Sequence, residues 1–333
     1  MTRLFLNRAL AMVAVLFGLA VAVFVLQVVI PTDPARAMVG SNAPEEVVAQ
    51  ARADLGYDQP IPAQFAAYLG RITRGDLQHS LHTHNPVSDD LGRFAPATIE
   101  LGFYAALIAG ALGLGLGLLL VGGGLVGRVA RVVLVGWAAV PAFLTGMLLI
   151  VVFYSWLHVL PGSGRVDDDL LLPDGPTGLL TVDALLTGQF ALLGNLISHL
   201  VLPAVTLALL PAVAIARTLH ASLEQVMGED YIRTARSKGL RERTVLLRHA
   251  LRNAAGPTLT MAGLLVGLML GGVVVVEQIF SWPGLGLYVT QSIAYSDFPA
   301  ITGTTLALGA AYVVINFWVD VAQAVADPRL RSA

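Results

Sequence analysis

Residues 97–121 read ATIELGFYAALIAGALGLGLGLLLV, a run of 25 residues in which Glu100 is the only charged side chain. A helix rises about 1.5 Å per residue, so a run of this length covers the roughly 30 Å hydrocarbon core of a lipid bilayer. The run therefore predicts a membrane-spanning helix and not the core helix of a water-soluble domain.

Five further stretches are comparably long and apolar, which predicts an all-α, polytopic membrane protein with about six transmembrane helices. Together with the first run, the predicted spans are 9–30, 97–121, 129–157, 196–219, 257–279 and 301–325. The composition agrees, because the 333 residues are 56% hydrophobic and 13% charged, whereas soluble domains are about 25% charged. We interpret residues 1–333 as a single transmembrane domain.

Several classes of protein are disfavoured by what the sequence lacks. There is no cysteine, which excludes disulfides and cysteine-based metal sites, and a net charge of −2 gives no field that attracts nucleic acid. No G-x-x-x-x-G-K-[ST] loop is present, and the only lysine, Lys238, follows Ala-Arg-Ser. We predict no catalytic residue, no cofactor and no metal site, although the outer histidines His79, His82 and His84 leave metal binding open.

The distribution of Arg and Lys predicts the orientation, because cytoplasmic loops are enriched in these residues. Most of them lie before the first span, between spans two and three, between spans four and five, and at the end of the chain. Both termini are therefore predicted to be cytoplasmic. The first span could instead be a signal peptide, but its apolar region of about 22 residues exceeds the usual 7–15, so we favour an uncleaved helix.

Two connections are long enough to carry structure of their own. Residues 32–94 are predicted to form an extracytoplasmic cap segment, in which Phe65, Tyr68 and Leu69 indicate an amphipathic helix over Ile61–Leu69. Residues 220–256 are predicted to form a cytoplasmic loop, which includes DYIRTARSKGL at 230–240. We predict two short helices that meet at Gly239, since glycine permits the positive φ that ends a helix. From these residues alone, a basic helix attracted to anionic lipid remains open.

The 230–240 segment resembles the cytoplasmic "EAA" loop of importer-type ABC permeases, most closely that of the dipeptide/oligopeptide/nickel class. In that family the first helix of the loop docks into a groove on a separate ATPase subunit. Gly239 and Ala235 match the family pattern, whereas Arg233 and Arg252 depart from the general one. The resemblance implies a set of ATPase-coupling residues: Tyr231, Arg233, Thr234, Ala235, Arg236, Lys238 and Gly239.

The resemblance continues along most of the chain, through LGYDQP (55–60), RGDL (74–77), PATIE (96–100), EQIFSWPGLG (277–286), DFP (297–299) and DPRLR (327–331), with a departure at Gln78. It implies the ABC type I importer permease fold and a bacterial inner-membrane permease subunit of a peptide importer. The implied partners are a second homologous permease, two ATPase subunits or one fused ATPase that carry ATP and Mg, an extracytoplasmic substrate-binding protein, the peptide substrate and membrane lipid. An importer of nickel, glutathione or haem and a stand-alone secondary transporter are the alternatives.

Polar residues within or beside the spans are candidates for the translocation pathway or its gate, because such residues are costly in hydrocarbon. The candidates are Glu100, Glu277, Gln278, Asn316 and Asp320. Glu100 could also be an acid favoured at a helix start. Small residues at four-residue spacing, Gly113 with Gly117 and Gly263 with Gly267 and Gly271, predict close helix packing or a moving seam.

Overall fold

The computed structural model describes residues 2–29, 36, 39–40, 43–54, 56–122, 124–172 and 175–326, without the side chains of 2–8, 126, 135, 138, 320 and 322–326. Throughout these residues the regular structure is helical, apart from one isolated bridge between His79 and Pro86. The predicted all-α class is confirmed.

We number the helices in chain order. They are α1 (Thr2–Val29), α2 (Glu45–Asp54), α3 (Ile61–Thr73), α4 (Val87–Val121), α5 (Gly124–Ala138), α6 (Ala142–Trp156), α7 (Leu180–Leu186), α8 (Phe190–Met227), α9 (Asp230–Ser237), α10 (Glu242–Ile279), α11 (Leu285–Ala294) and α12 (Phe298–Ala326). Two of them contain a π-helical turn, α6 at Ile150–Trp156 and α10 at Val245–Ala250.

Among the described residues, five helices are long and apolar enough to cross a membrane, over Ala9–Val29, Val87–Val121, Phe190–Met227, Glu242–Ile279 and Phe298–Val319. Each contains most of one predicted span. The helices extend beyond the apolar runs, because only the part inside hydrocarbon must be apolar. The clearest case is α4, which begins at Val87 and continues through Pro96, ahead of the predicted start at residue 97.

The prediction of one continuous span over 129–157 was wrong. The chain forms two helices of 15 residues, α5 and α6, separated at Val140-Pro141. Proline lacks the N–H that a continuous helix needs and disfavours helical geometry at the residue before it. Pro141 takes an extended conformation (φ −59°, ψ 145°) and stands at the start of α6, where its carbonyl accepts the Thr145 N–H at 3.0 Å.

The chain divides into two compact units, the first comprising Met1–Ala97 with Pro283–Val314 and the second Thr98–Trp282 with Ile315–Ala333. In the first unit, α3 packs on α1 through Phe65 and Tyr68 against Ala20 and Phe24. The amphipathic helix predicted over Ile61–Leu69 is therefore confirmed.

In the second unit, α8 is the most buried helix and contacts α5, α6, α7 and α10. The glycines of α4 allow it to approach α8 closely. A Cβ added at Gly113 would lie 2.6 Å from Cγ2 of Ile215, and one added at Gly117 would lie 2.9 Å from Cδ2 of Leu219. The close packing predicted for this pair is confirmed, whereas a Cβ at Gly271 would meet nothing within 4 Å.

Candidate coupling surface and buried polar sites

The connection between α8 and α10 is built around the short helix α9, which ends in a glycine corner. Gly239 has a φ of +76°, and its N–H donates to the carbonyl of Arg236 at 2.9 Å. The N–H of Leu240 donates to the carbonyl of Ala235 at 3.4 Å. These two bonds form a Schellman motif with Gly239 at its left-handed position, as the sequence predicted.

One face of α9 is fixed to the helices that flank it. Ile232 is fully buried and Ala235 is 7% exposed, and both pack in a cluster with Leu219 and Leu223 of α8 and Val245 of α10. The three-residue spacing places Ile232 and Ala235 on the same side of the helix. Ala235, which the family resemblance placed among the coupling residues, thus faces the protein's own core and not an outside partner.

The opposite face of α9 is exposed and polar. Tyr231 is 42% exposed, and Arg233, Thr234 and Lys238 are exposed as well. Thr234 donates to the carbonyl of Asp230 at 3.0 Å, so this hydroxyl is satisfied within the helix. Arg233 is 3.3 Å from the carboxylate of Asp230, an exposed contact of small energetic value. We define the coupling surface as Tyr231, Arg233, Thr234, Ser237 and Lys238.

An ion pair crosses the corner beside this surface. Nε of Arg236 donates to Oε1 of Glu242 at 2.7 Å, and Nη2 donates to Oε2 at 3.3 Å. The hydrogen bond lowers the pKa of Glu242 and raises that of Arg236. Because the pKa of Glu242 is depressed on folding, the stability it contributes is present above its unfolded-state pKa and is lost as the pH falls through the folded-state value.

The prediction of a second short helix after Gly239 was also wrong. Helix α10 begins at Glu242 and continues through its π-helical turn into the apolar span without interruption. Asn253 of α10 donates to the Tyr231 hydroxyl at 2.7 Å. Thus α9 is connected to the span by a buried cluster, an ion pair and a hydrogen bond. The last two were missed because residues 6 and 22 positions apart have no short-range signal.

Glu100 occupies a buried site in the second unit instead of a helix start. Its carboxylate pairs with Arg165, whose Nε donates at 3.0 Å, and accepts the N–H of Thr181 at 2.8 Å. The side chains of Glu100 and Arg165 are 3% and 10% exposed. The interpretation of Glu100 as a helix-start acid was wrong, because α4 begins at Val87. The carboxylate joins α4 to the segment that precedes α7 and to the start of α7.

Of the neighbouring residues Glu277 and Gln278, the first lies in the interior and the second on the surface. Glu277 is fully buried and accepts a hydrogen bond from the Thr98 hydroxyl at 2.6 Å, which joins α10 to α4. Gln278 is exposed. Asn316 on α12 is half-buried, and the side chain of Asp320 lies outside the described residues.

The outer histidines do not form a metal centre in the described part of the chain, where no three His, Cys, Asp or Glu residues are placed to hold an ion. The ring of His82 instead packs on Tyr295, with 3.9 Å between centroids. Nearby, the fully buried Asp297 accepts the Ser80 hydroxyl at 2.5 Å and the N–H of His82 at 3.1 Å. The residues around His82 thus form a structural network at the start of α12.

Similar proteins identify the class to which this arrangement belongs. The chain is 40% identical over 326 residues to the probable D,D-dipeptide transport system permease protein DdpB of Escherichia coli (strain K12), covering 97% of this chain and 96% of the relative. It is 37% identical to the di/tripeptide transport system permease protein DppB of Pseudomonas aeruginosa (strain UCBPP-PA14) and 35% identical to the dipeptide transport system permease protein DppB of E. coli (strain K12), with 98% of each chain covered.

Two family descriptions match in sequence order. Residues 1–99 match the N-terminal part of a binding-protein-dependent transport system membrane component, and residues 109–332 match the inner membrane component itself. The resemblance inferred from the 230–240 loop is confirmed. The chain is a multi-pass membrane protein that belongs to the family of binding-protein-dependent transport system inner membrane components, the ABC permeases of type I fold.

Proposed function

We propose that the chain is one permease subunit of an ABC importer for short peptides and that it forms half of the translocation pathway. Family membership supports the transport role, and the three relatives named above are each described as permeases for dipeptides or tripeptides. The cargo class rests on those relatives, so di- and tripeptides are the first substrates to test.

The proposed coupling element is α9. Its buried face is fastened to α8 and α10 through Ile232 and Ala235, while the coupling surface of Tyr231, Arg233, Thr234, Ser237 and Lys238 is exposed and polar. A helix with this division can bind a separate protein on one side and move two spans on the other. The burial of one face of α9 and the exposure of the other are the observation that supports the proposal most directly.

The remaining components of the proposed system follow from the family. ATPase subunits would bind the coupling surface and carry ATP and Mg, and closure of the ATPases would bias the spans between two states. A second homologous permease would complete the pathway, and a substrate-binding protein would deliver the peptide outside the membrane. We place both termini and α9 in the cytoplasm, because this side has the greater number of Arg and Lys residues.

We propose fewer residues for the translocation pathway than the sequence alone suggested. Glu100 and Glu277 are engaged by Arg165, Thr181 and Thr98 within the chain, so we assign them to holding α4 against its neighbours. Gln278 is exposed and Asn316 half-buried, and they remain the proposed pathway residues together with Asp320.

The coupling role is tested by charge reversal on the exposed face of α9. Arg233→Glu should abolish co-purification of the ATPase subunits and dipeptide-stimulated ATP hydrolysis in the reconstituted importer, with an unchanged unfolding temperature. Arg128→Glu, an exposed arginine on α5 predicted to be on the same side of the membrane, is the matched control. Retention of the ATPases by the Arg233 variant would show that they do not dock on α9.

A further inference from the structure

The first unit contains a cavity of about 400 Å³ between α1, α11 and the first turns of α12. Its walls are mainly apolar, formed by Val23 and Leu26 of α1, Ile293 of α11, and Phe298 and Ile301 of α12. In a membrane protein, an open crevice with these walls is suited to a hydrocarbon chain. It is unsuited to a peptide, whose backbone needs hydrogen-bond partners.

A smaller pocket adjoins the apolar cavity, and both are lined by Gln27 and Thr302. Its other walls combine apolar side chains such as Ile72 and Leu77 with three polar ones, Tyr68 and Arg71 of α3 and Asp76 just after that helix. The volume of about 20 Å³ admits a group of about the size of one water molecule. A cation and an anion therefore line one small pocket at the end of an apolar cavity.

Tyr68 supplies an independent sign that this smaller pocket receives a ligand. Its side chain is 5% exposed, and its hydroxyl has no hydrogen-bond partner among the described residues. Burial raises the pKa of Tyr68 to about 12, so the hydroxyl stays protonated at neutral pH and can donate a hydrogen bond. A buried donor without an acceptor is costly, and most such groups in proteins are paired. An acceptor oxygen from outside the chain would satisfy it.

The order of polarity along the crevice matches the order of groups in a lipid. The apolar side chains of α1 and α12 come first, then the amide of Gln27 with the hydroxyl of Thr302, and then Arg71 with Asp76. Gln27 lies two residues before the end of α1 at Val29, where a span meets the headgroup region. An acyl chain, an ester region and a charged headgroup would meet these three zones in turn.

We propose that this crevice is a binding site for phosphatidylethanolamine. One acyl chain occupies the apolar cavity, and a single phosphate oxygen enters the smaller pocket, where it accepts from Arg71 and the Tyr68 hydroxyl. The ammonium group stays outside that pocket and pairs with the exposed carboxylate of Asp76. The two opposite charges favour this zwitterionic headgroup over the anionic headgroup of phosphatidylglycerol, which Asp76 would repel.

The test measures lipid retention by the purified full-length chain in native mass spectrometry. Phosphatidylethanolamine and phosphatidylglycerol of matched acyl chains are titrated, with glycerophosphoethanolamine as a headgroup without chains. We expect one tightly retained phosphatidylethanolamine, weaker phosphatidylglycerol and no retained glycerophosphoethanolamine. Arg71→Gln should weaken phosphatidylethanolamine about 10-fold, as expected for loss of one hydrogen bond to a charged group.

Arg74→Gln is the matched control, because Arg74 is an exposed arginine just after the same helix and lines neither pocket. Thr305 also lines the apolar cavity, so Thr305→Phe fills it and should reduce retention of both lipids. Asp76→Asn should remove the preference between them. Equal retention in wild type, Arg71→Gln and Thr305→Phe would mean nonspecific surrounding lipid and would overturn the site. Dimers of the chain that retain no lipid would also overturn it, since a second copy would then cover the crevice.

Discussion

At the scale of single residues, the pair formed by Glu100 and Arg165 allows a direct stability test. Glu100→Gln would leave the guanidinium of Arg165, which is 10% exposed, without its counter-charge. Removing one partner of a buried ion pair costs about 3–5 kcal/mol, so we expect a clearly lower unfolding temperature in detergent. Asp168→Asn, at an exposed acid of the same connection, should have little effect.

A double variant separates pairing from other roles of Glu100. Glu100→Gln combined with Arg165→Gln should recover part of the lost stability, because neither charge is then left alone in the interior. If Glu100→Gln were as stable as Asp168→Asn yet failed to transport, the carboxylate would act on the substrate pathway and not on the fold.

The corner at Gly239 gives the second prediction at the residue scale. Its φ of +76° is a conformation that costs other residues about 1–2 kcal/mol, so Gly239→Ala should loosen the end of α9. Amide hydrogen exchange across Asp230–Ser237 should quicken about 5- to 30-fold. Gly228→Ala is the control, since Gly228 has a φ of −83°, and exchange that rises equally in both variants would contradict the argument.

At the scale of elements, substitution by glutamate should have opposite effects on the two faces of α9. Ala235→Glu would place a carboxylate in the cluster formed with Leu219, Leu223 and Val245, at a cost of several kcal/mol. We expect α9 to detach and become sensitive to limited proteolysis. Ser237→Glu lies on the exposed face and should change stability by no more than about 0.5 kcal/mol. Equal proteolysis of the two variants would show that α9 is not fastened through Ala235.

The helices of the fold were largely predictable, because most of the spans are long apolar runs and α3 shows a helical spacing of Phe65, Tyr68 and Leu69. Two features of the helices were not predicted from the sequence. The apolar run over 129–157 hid the break at Pro141, since hydrophobicity reports burial in lipid and not helix continuity. The polar start of α10 was predicted to be a separate short helix, because only the part of a helix inside the hydrocarbon needs to be apolar and the polar part gave no sign of continuing into the span.

The sequence predicts the candidate site only where its structure depends on residues that are close together in the chain. The positive φ of Gly239 follows from glycine at the end of a short helix. The buried side of α9 was readable in principle from the spacing of Ile232 and Ala235. The partners of Glu100 are 65 and 81 positions away, and that separation is closed by tertiary packing, which a single sequence does not encode in any short pattern.

At the scale of the whole molecule, the distribution of charge predicts which connections face the cytoplasm. The connection around α9 is basic, with Arg233, Arg236, Lys238 and Arg241, whereas the connection after α6 contains Asp167, Asp168 and Asp169. The membrane-spanning length of α8 lies between these two connections along the chain. Because basic loops are retained in the cytoplasm, the two connections should be on opposite sides of the membrane.

The absence of cysteine makes this topology directly measurable. In intact cells, a membrane-impermeant maleimide should label Asp168→Cys and leave Lys238→Cys unlabelled, and both positions are exposed enough to react. Permeabilised cells should label both variants equally, which controls for reactivity. Labelling of Lys238→Cys from outside would place α9 beyond the reach of ATPase subunits, since ATP is in the cytoplasm. The coupling role of α9 would then fail, while the all-helical fold and the Glu100–Arg165 pair would be unaffected.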